Sequence, residues 1–374
     1  MKHLISLTLA LSLLIVCAAG CSSSDSSKKS DSSAQTTPAI TTIAVETNSE
    51  DDFVYKTENS EITITGYKGS SKTVGIPDKI NNMPVTKIGE KAFDGFEEPG
   101  SDDSGAYYKT NNINSITAIS LPDTVTELEE GAFVNCYSLT QITLGSGLTT
   151  IGEGSFACCD KLASVTIPDS VTQVGSYAFY ECFGLTSVVI GKSVQTIGDY
   201  AFFHCNELQS ANIPDSVNSL GTGLFAQCDY LTDVKLGTAI TKIPDYAFYS
   251  NFGLKSINLS EGITYIGEDA FAGCSALEGI TIPSTVTELG EAAFYSCTAT
   301  TAISVPESVE KIGEHALGYM QVTSSASQDS SADSSANESS DDKIKLVDSF
   351  VIKSKKGTAA EKYAKDNNIT FELE

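Results

Sequence analysis

Apolar side chains recur along most of this chain with a fixed period of 23 residues. The clearest column is phenylalanine with leucine at its last position, and it comprises Phe133, Phe156, Phe179, Phe202, Phe225, Phe248, Phe271, Phe294 and Leu317. A period of this length is typical of a solenoid, in which each repeat forms one winding and neighbouring windings bury each other's apolar side chains. We therefore expect an elongated array that acts through a surface rather than through an enclosed pocket.

A single repeat, at residues 162–182, has the pattern of a strand followed by two bends. Val165 and Ile167 alternate with polar residues, as in a half-buried strand. Pro168 fixes its own φ angle and is followed by Asp and Ser, which favours a turn. Residues 176–182, which contain Phe179, are predicted to form a short helical turn. One such repeat cannot bury its apolar residues alone, so its neighbours must cover it.

Two further apolar columns run in step with the phenylalanines. The strand column comprises Ile119, Ile142, Val165, Val188, Ala211, Val234, Ile257, Ile280 and Ile303. The bend column comprises Leu128, Ile151, Val174, Ile197, Leu220, Ile243, Ile266, Leu289 and Ile312. Stacked parallel strands lie about 4.8 Å apart, so about ten windings would form a rod of about 45–50 Å. The predicted fold is a mainly β solenoid of about ten 23-residue windings, with parallel strands and short helical turns.

The first 20 residues have the layout of a secretory signal peptide. Lys2 and His3 precede an apolar stretch at residues 4–16, and small residues lead into Cys21. This ending resembles the lipobox of bacterial lipoproteins. The resemblance implies that Cys21 is the mature N-terminus and carries a thioether-linked diacylglycerol. An ordinary cleaved signal and an uncleaved anchor remain alternatives, although the apolar stretch is short for a membrane span.

Composition divides the rest of the chain. Residues rich in Ser, Thr, Asp and Lys cannot bury enough surface to offset their ordering entropy, so we expect flexible segments beside the array. Seventeen residues more than one period separate Phe93 from Phe133, which predicts an insertion. The predicted organisation is a signal peptide at 1–20, a lipidated flexible tether at 21–52, a repeat solenoid at 53–320 with an insertion at about 95–112, a Ser/Asp-rich disordered insertion at 321–342, and a C-terminal capping segment at 343–374.

The chain is strongly acidic, with 48 acidic and 23 basic residues and a formal net charge of −25. Every basic residue apart from histidine is lysine. Nucleic acid is therefore not an expected partner, because phosphate recognition needs a concentrated basic face. The simplest interpretation of the charge is a solvated surface that favours solubility.

Cysteine follows the phenylalanine by three residues in seven repeats, at Cys136, Cys159, Cys182, Cys205, Cys228, Cys274 and Cys297. Metal sites need closed tetrahedral ligand sets, and a disulfide needs a specific torsion that parallel neighbours do not offer. We therefore expect buried thiols that pack a tight bend, with no metal site. Cys158 lies one residue away from this column and is predicted to be the more exposed thiol.

A column of acids follows the bend, at Glu90, Glu130, Glu153, Asp199, Asp245, Glu268, Glu291 and Glu314. Acids at the start of a helical turn meet exposed N–H groups, and this is the favoured interpretation. Calcium binding along the column is the alternative.

Catalysis has little support in the sequence. Beyond the first 20 residues, histidine occurs only at His204 and His315, which are about five windings apart. No nucleophile elbow, phosphate-binding loop or zinc-protease helix motif is present. We therefore predict that the protein is not an enzyme and uses no cofactor.

The segment SVVI at residues 187–190, followed by VQTIGDYAFFHC at residues 194–205, closely resembles the BspA-type (treponemal) leucine-rich repeat. The resemblance covers about residues 60–320. Residues 61–88 resemble the usual opening winding of such arrays, and residues 357–364 resemble their closing segment. The family resemblance implies a secreted or surface-displayed protein, often a binder or adhesin. Members of such a family share the fold more reliably than they share a ligand.

Three surfaces are candidates for partner binding. The outward strand positions form a lane of small and mostly uncharged residues, namely Thr143, Thr166, Val189, Asn212, Lys235, Asn258, Thr281 and Ser304. Such a lane leaves room for an elongated partner, or it simply suits an exposed strand. The insertion contributes Tyr107 and Tyr108. Aromatic residues also gather on the turn side, where they either stack between windings or form an interaction patch.

These features predict a cell-surface, lipid-anchored leucine-rich repeat protein that binds an extracellular protein or glycan. Contact with the membrane is expected through the N-terminal lipid alone. A structural envelope spacer without a specific ligand is one alternative, and a glycan-binding helper in polysaccharide use is another.

Overall fold

The computed structural model describes residues 45–322 and 343–374, apart from residues 97, 103, 104, 110 and 111. The predicted signal peptide, Cys21, most of the tether and most of the predicted insertion at 321–342 lie outside the described residues. Within the described part, the chain forms a β-solenoid of about 12 windings of about 23 residues. The predicted fold class is confirmed, and the extra windings come from the two ends of the array.

Each winding of the first half contributes one short strand to a seven-stranded parallel sheet, the first sheet. Its strands are Thr73–Gly75, Ala118–Ser120, Gln141–Thr143, Ser164–Thr166, Ser187–Val189, Ser210–Asn212 and Asp233–Lys235. Ile142 lies opposite Ile119, and Val188 lies opposite Val165. This register places the predicted strand column on the inside, where Val165 is 1% exposed.

The first sheet is interrupted in two windings. Residues 256–258 and 279–281 form no strand, so the predicted strand column is wrong there, although Ile257 still points inward and is 6% exposed. Gly279 is the first residue of the second of these segments, and glycine weakens a strand because it gives up more backbone entropy than other residues. Parallel pairing resumes with Ala302–Ser304, Val351–Ser354 and Thr370–Leu373.

The predicted bend column forms a second sheet instead of a bend. Its strands are Phe53–Glu58, Glu61–Tyr67, Lys79–Ile80, Met83–Ile88, Glu127–Leu128, Thr150–Ile151, Gln173–Val174, Thr196–Ile197 and Ser219–Leu220. A separate four-stranded sheet continues this side with Lys242–Ile243, Tyr265–Ile266, Glu288–Leu289 and Lys311–Ile312. Most of these strands have only two residues, and in the windings from Thr150 to Leu289 the residue after the strand is glycine or proline. This is why the sequence suggested a bend.

The third side of the solenoid consists of turns. The N–H of Tyr180 donates to the carbonyl of Tyr177 at 3.0 Å, while the N–H of Phe179 donates to Ala201 in the next winding at 2.8 Å. Tyr177 and Glu181 have φ angles of 57° and 54°. The predicted short helical turns are therefore present as turns, but they do not form helices, because alternate N–H groups bond to the neighbouring winding. The helices of the described chain are two 3-10 segments, Glu50–Asp52 and Asn112–Ser115, and one α-helix, α1, at Ala359–Asp366.

The phenylalanine column forms the centre of the core. From Phe93 to Phe294, successive rings lie 5.1 to 6.0 Å apart and are stacked. Phe93 stacks on Phe133 at 5.1 Å, so the insertion between them does not interrupt the column. The insertion contains an antiparallel pair of strands, Glu98–Asp102 and Gly105–Lys109. Two strands on either side of residues 323–342, Tyr319–Val322 and Lys343–Leu346, also form an antiparallel pair.

From Pro122 to Gly237, the turn between the two sheets alternates between two kinds of winding. A Pro-Asp winding is followed by a winding with glycine at the same position. The carboxylate of Asp169 accepts a hydrogen bond from the N–H of Lys192 at 2.9 Å. A Cβ atom at Gly191 would lie 2.2 Å from the carbonyl oxygen of Pro168. Asp123 and Gly145 form an equivalent pair, as do Asp215 and Gly237.

The C-terminal segment closes the array. Helix α1 begins at an N-cap, Thr358, whose side chain accepts a hydrogen bond from the N–H of Glu361. Tyr363 of α1 is 8% exposed, and its hydroxyl accepts a hydrogen bond from the N–H of Leu317 at 3.2 Å. In earlier windings a backbone carbonyl of the next winding accepts this bond, so Tyr363 replaces the missing winding.

Candidate binding surfaces

The lane predicted from the sequence lies on the outer face of the first sheet. Thr143 is half-buried, and Thr166, Val189, Asn212, Lys235, Asn258, Thr281 and Ser304 are exposed. Direct register partners within it include Thr166 with Val189 and Asn212 with Lys235. Because parallel strands lie about 4.8 Å apart, adjacent lane side chains have that spacing.

Only some of the eight lane positions lie on regular strands of the first sheet. The five positions from Thr143 to Lys235 lie on consecutive strands of the first sheet. Asn258 and Thr281 lie in the two windings that form no strand there. The hydroxyl of Ser304 donates to the carboxylate of Glu374 at 2.8 Å. The regular part of the lane is therefore its first five positions.

The chemistry of the regular lane is that of a shallow hydrogen-bonding surface. Hydroxyl and amide groups are carried by Thr143, Thr166 and Asn212, while Val189 is 43% exposed and Lys235 provides a single cation. Beyond Ser304, Lys353 and Glu372 extend the same face and form an ion pair at 3.3 Å.

A second outward face was missed by the sequence analysis. It comprises the outer positions of the second side, Glu127, Thr150, Gln173, Thr196, Ser219, Lys242, Tyr265, Glu288 and Lys311. Lys87 pairs with Glu127, and Lys311 pairs with Glu288. The signal was present as a polar residue before each member of the bend column, but it was not recognised because the strands are so short.

The insertion places Tyr107 opposite Gly100 and Tyr108 opposite Pro99 in its antiparallel pair of strands. Their side chains lie outside the described part of the structure. The insertion contacts therefore remain a prediction from the sequence.

The aromatic residues of the turn side have two kinds of environment. Four of them stack between windings, Tyr180 with Phe203 at 5.0 Å and Tyr177 with Tyr200 at 5.5 Å. Burial is the main cause that raises the pKa of Tyr177 above its ordinary value. Tyr230 and Phe252 differ, because they are 60% and 53% exposed. Stacking between windings is thus present, and an interaction patch at the two exposed rings stays a prediction.

The seven thiols of the cysteine column are buried and free. Each donates to the backbone carbonyl of the phenylalanine in the preceding winding, as Cys182 does to Phe156 at 3.1 Å and Cys205 does to Phe179 at 3.2 Å. Burial raises the pKa of Cys182 well above its ordinary value. The prediction of an exposed Cys158 is wrong, since this residue is 3% exposed.

The acidic column does not cap helices, so the favoured interpretation of these residues is also wrong. Instead, some of these carboxylates accept hydrogen bonds from the next winding. Asp199 accepts from the N–H of Thr222 at 2.8 Å, and Asp245 accepts from the N–H of Glu268 at 2.9 Å. Among the described residues, no group of three or more His, Cys, Asp or Glu side chains is placed to hold a metal ion.

The two histidines lie in separate environments. His204 Nδ1 is 3.8 Å from Glu181, and the His204 ring contacts Phe183 edge-on at 5.0 Å. His315 contacts Tyr319 edge-on at 4.7 Å. The described part of the chain also contains no helix that is long and apolar enough to cross a bilayer.

Comparisons with known proteins agree with this architecture. A family model described as the BspA type leucine rich repeat region matches in six copies, over residues 103–232 and 219–338, which is more than half of the chain. No curated protein matches the chain.

Among solved structures, a leucine-rich repeat protein of T. pallidum is 26% identical, with 62% of this chain and 91% of that chain covered and a TM-score of 0.45. A leucine rich cell surface protein from Faecalibacterium prausnitzii A2-165 is 25% identical, with 73% and 86% covered and a TM-score of 0.43. The pneumococcal vaccine antigen PcpA is 16% identical, with 88% and 98% covered and a TM-score of 0.47. The family match over the repeats, together with the 23-residue windings, shows that the chain belongs to the BspA type leucine-rich repeat family.

Proposed function

We propose that this protein is an exported, lipid-anchored scaffold that binds an extracellular protein or glycan through the regular lane. Leucine-rich repeat families are typically non-enzymatic binding scaffolds. The observation that carries the proposal is the regular lane itself, where five outward side chains stand on consecutive parallel strands. Such spacing offers the same contact repeatedly, so many weak contacts add along an elongated ligand.

The proposal places the protein outside the cytoplasm. Its support is the sequence of residues 1–20 and the position of Cys21 directly after small residues. The tether at 21–52 would then separate the lipid from the array. The lipid supplies the membrane contact, and the net charge of −25 argues against a nucleic-acid partner.

The proposal is tested by changing the lane and the second face separately. In the lane variant, Thr166→Glu and Asn212→Glu add charge and bulk to the outer face of the first sheet. In the matched control, Thr196→Glu and Ser219→Glu add the same groups to the second face. Both variants and the parent chain are applied to arrays of matrix proteins and of glycans.

We expect the parent chain to bind a protein or glycan with a Kd below about 50 µM. The lane variant should lose this binding, and the second-face control should keep it. Absence of binding on both arrays, or equal loss in both variants, would contradict the proposal. A chain that binds nothing and whose deletion weakens the envelope would instead support the spacer alternative.

A further inference from the structure

Two aromatic side chains on neighbouring windings are exposed at the edge between the turn side and the first sheet. Tyr230 is 60% exposed and Phe252 is 53% exposed, and the described chain exposes no other aromatic side chain to this extent. Other turn-side rings stack on the neighbouring winding, as Tyr180 does on Phe203 and Tyr177 does on Tyr200. These two residues therefore need a separate explanation.

Their exposure follows from the residues that come next in the stack. The N–H of Tyr230 donates to the carbonyl of Asn206 at 3.2 Å, and a Cβ atom at Gly253 would lie 2.7 Å from the carbonyl of Asp229. Residues 252–253 thus lie directly on residues 229–230. Gly253 has no side chain to cover Tyr230, and only the small Ser275 follows Phe252 one period later. We call Phe183, Glu207, Asp229, Tyr230 and Phe252 the aromatic ridge.

The surroundings of the aromatic ridge are acidic. Glu207 is exposed and occupies the position of Tyr230 in the preceding winding, while Asp229 occupies that of Phe252. Asp160 and Glu181 lie earlier on the same edge. Burial, followed by the charge of Glu181, raises the pKa of Asp160 to about 6. Burial also raises the pKa of Asp229, which His204 partly lowers.

Few cations balance these carboxylates. Lys161 lies beside Asp160, Lys255 follows Phe252 by three residues, and His204 is 3.8 Å from Glu181. Neither Glu207 nor Asp229 is within 4.0 Å of a lysine or histidine nitrogen among the described residues. Exposed rings bordered by such carboxylates favour a cation, because the ring face and the carboxylate both attract positive charge.

We propose that the aromatic ridge binds a cationic segment of a partner protein, with lysine or arginine side chains placed over Tyr230 and Phe252 and beside Glu207 and Asp229. Arginine fits best, since its planar guanidinium stacks on a ring while it pairs with a carboxylate. The net charge of −25 would attract such a segment from a distance. The ridge shares no residue with the regular lane, so this proposal does not depend on what the lane binds.

The test uses the full chain in detergent and a fluorescein-labelled peptide of ten residues that alternates arginine and glycine. The aromatic variant carries Tyr230→Ser and Phe252→Ser. Its control carries Val54→Ser and Leu373→Ser, which remove exposed apolar side chains elsewhere, 49% and 67% exposed respectively. A second pair compares Glu207→Gln and Asp229→Asn with Glu130→Gln and Glu310→Gln. Fluorescence anisotropy gives each Kd, and melting curves confirm that every variant is folded.

We expect the aromatic variant to bind the peptide about tenfold more weakly, because it loses two cation–π contacts. The ridge acid variant should also weaken binding, whereas both controls should match the parent chain. Equal weakening in ridge and control acid variants would show diffuse electrostatic attraction and would overturn the proposal. Undiminished binding by the aromatic variant would do the same. Binding of neutral maltohexaose that depends on Tyr230 and Phe252 would show a sugar site instead.

Discussion

The stacked phenylalanine column predicts that replacing a central phenylalanine by alanine destabilises the fold more than the same change at the end of the column. Phe202 is fully buried, and its ring stacks on Phe179 at 5.1 Å and on Phe225 at 5.5 Å. Truncation of a buried phenylalanine to alanine costs about 3–5 kcal/mol in lost transfer energy and residual cavity. Each stacked ring contact adds about 0.5–1.5 kcal/mol beyond the buried area. Phe202→Ala is therefore expected at the upper end of this range.

Phe294 provides a matched comparison at the same position of its winding. It is 4% exposed and stacks only on Phe271 at 5.3 Å, because Leu317 takes the next position. We expect Phe294→Ala to cost less than Phe202→Ala by about 1 kcal/mol, which is one ring contact. Urea unfolding followed by circular dichroism measures both free energies of unfolding, with Phe203→Ala on the half-buried turn side as a further control.

The comparison also tests how the array unfolds. Contacts in a repeat array run only between neighbouring windings, so loss of a central contact can separate the unfolding of the two halves. We expect a broader transition with a lower m-value for Phe202→Ala than for Phe294→Ala. A cost for Phe202→Ala below about 1 kcal/mol, the range of an ordinary surface change, would refute the stacked core.

Four further outcomes are expected. The seven free thiols of the cysteine column should resist a thiol reagent in the folded chain and react only on unfolding, because they are buried and their carbonyl acceptors hold them; rapid reaction in the native state would contradict this. Gly191→Ala should destabilise the fold by about 1–3 kcal/mol through its clash with the Pro168 carbonyl, whereas Gly279→Ala, with no atom within 4 Å of the new Cβ, should be nearly neutral in thermal melts. The pKa of Asp160 is about 6 in the folded chain against an ordinary 3.8. The folded state therefore binds this proton more tightly, so its contribution to stability is present below about pH 4 and is lost as the pH rises to about 6; Asp160→Asn should remove that dependence in melts at several pH values. Cys21→Ser should abolish labelling by a clickable fatty acid and release the protein from membranes; retained labelling would contradict the lipid anchor.

The parts of the fold set by side-chain period were predictable from the sequence. Val165, Phe179 and Val174 repeat at fixed spacing, and stacking in register is the one arrangement that buries all three columns. The second sheet was not predictable from the same signal. A strand of two residues such as Gln173–Val174 is too short to show a period of two, and the glycine after it suggested a bend.

Hydrogen bonds between windings explain the other differences. The N–H of Phe179 bonds to the neighbouring winding, so the turn cannot continue as a helix even though its residues permit one. The exposure of Tyr230 depends on Gly253, which is 23 residues away and lies directly beside it only after stacking. These contacts between windings can be recognised only once the 23-residue period has been translated into a register of neighbouring residues.

The alternation of Pro-Asp and glycine windings limits how an array of this kind can change in length. A carboxylate such as Asp215 needs the following winding to present an open N–H, and the glycine needs a carbonyl to approach it closely. Removing or duplicating a single 23-residue unit would place two Pro-Asp windings, or two glycine windings, side by side. Between Pro122 and Gly237, recombination in units of two windings preserves both contacts, so the module that can be exchanged there without loss is twice the structural repeat.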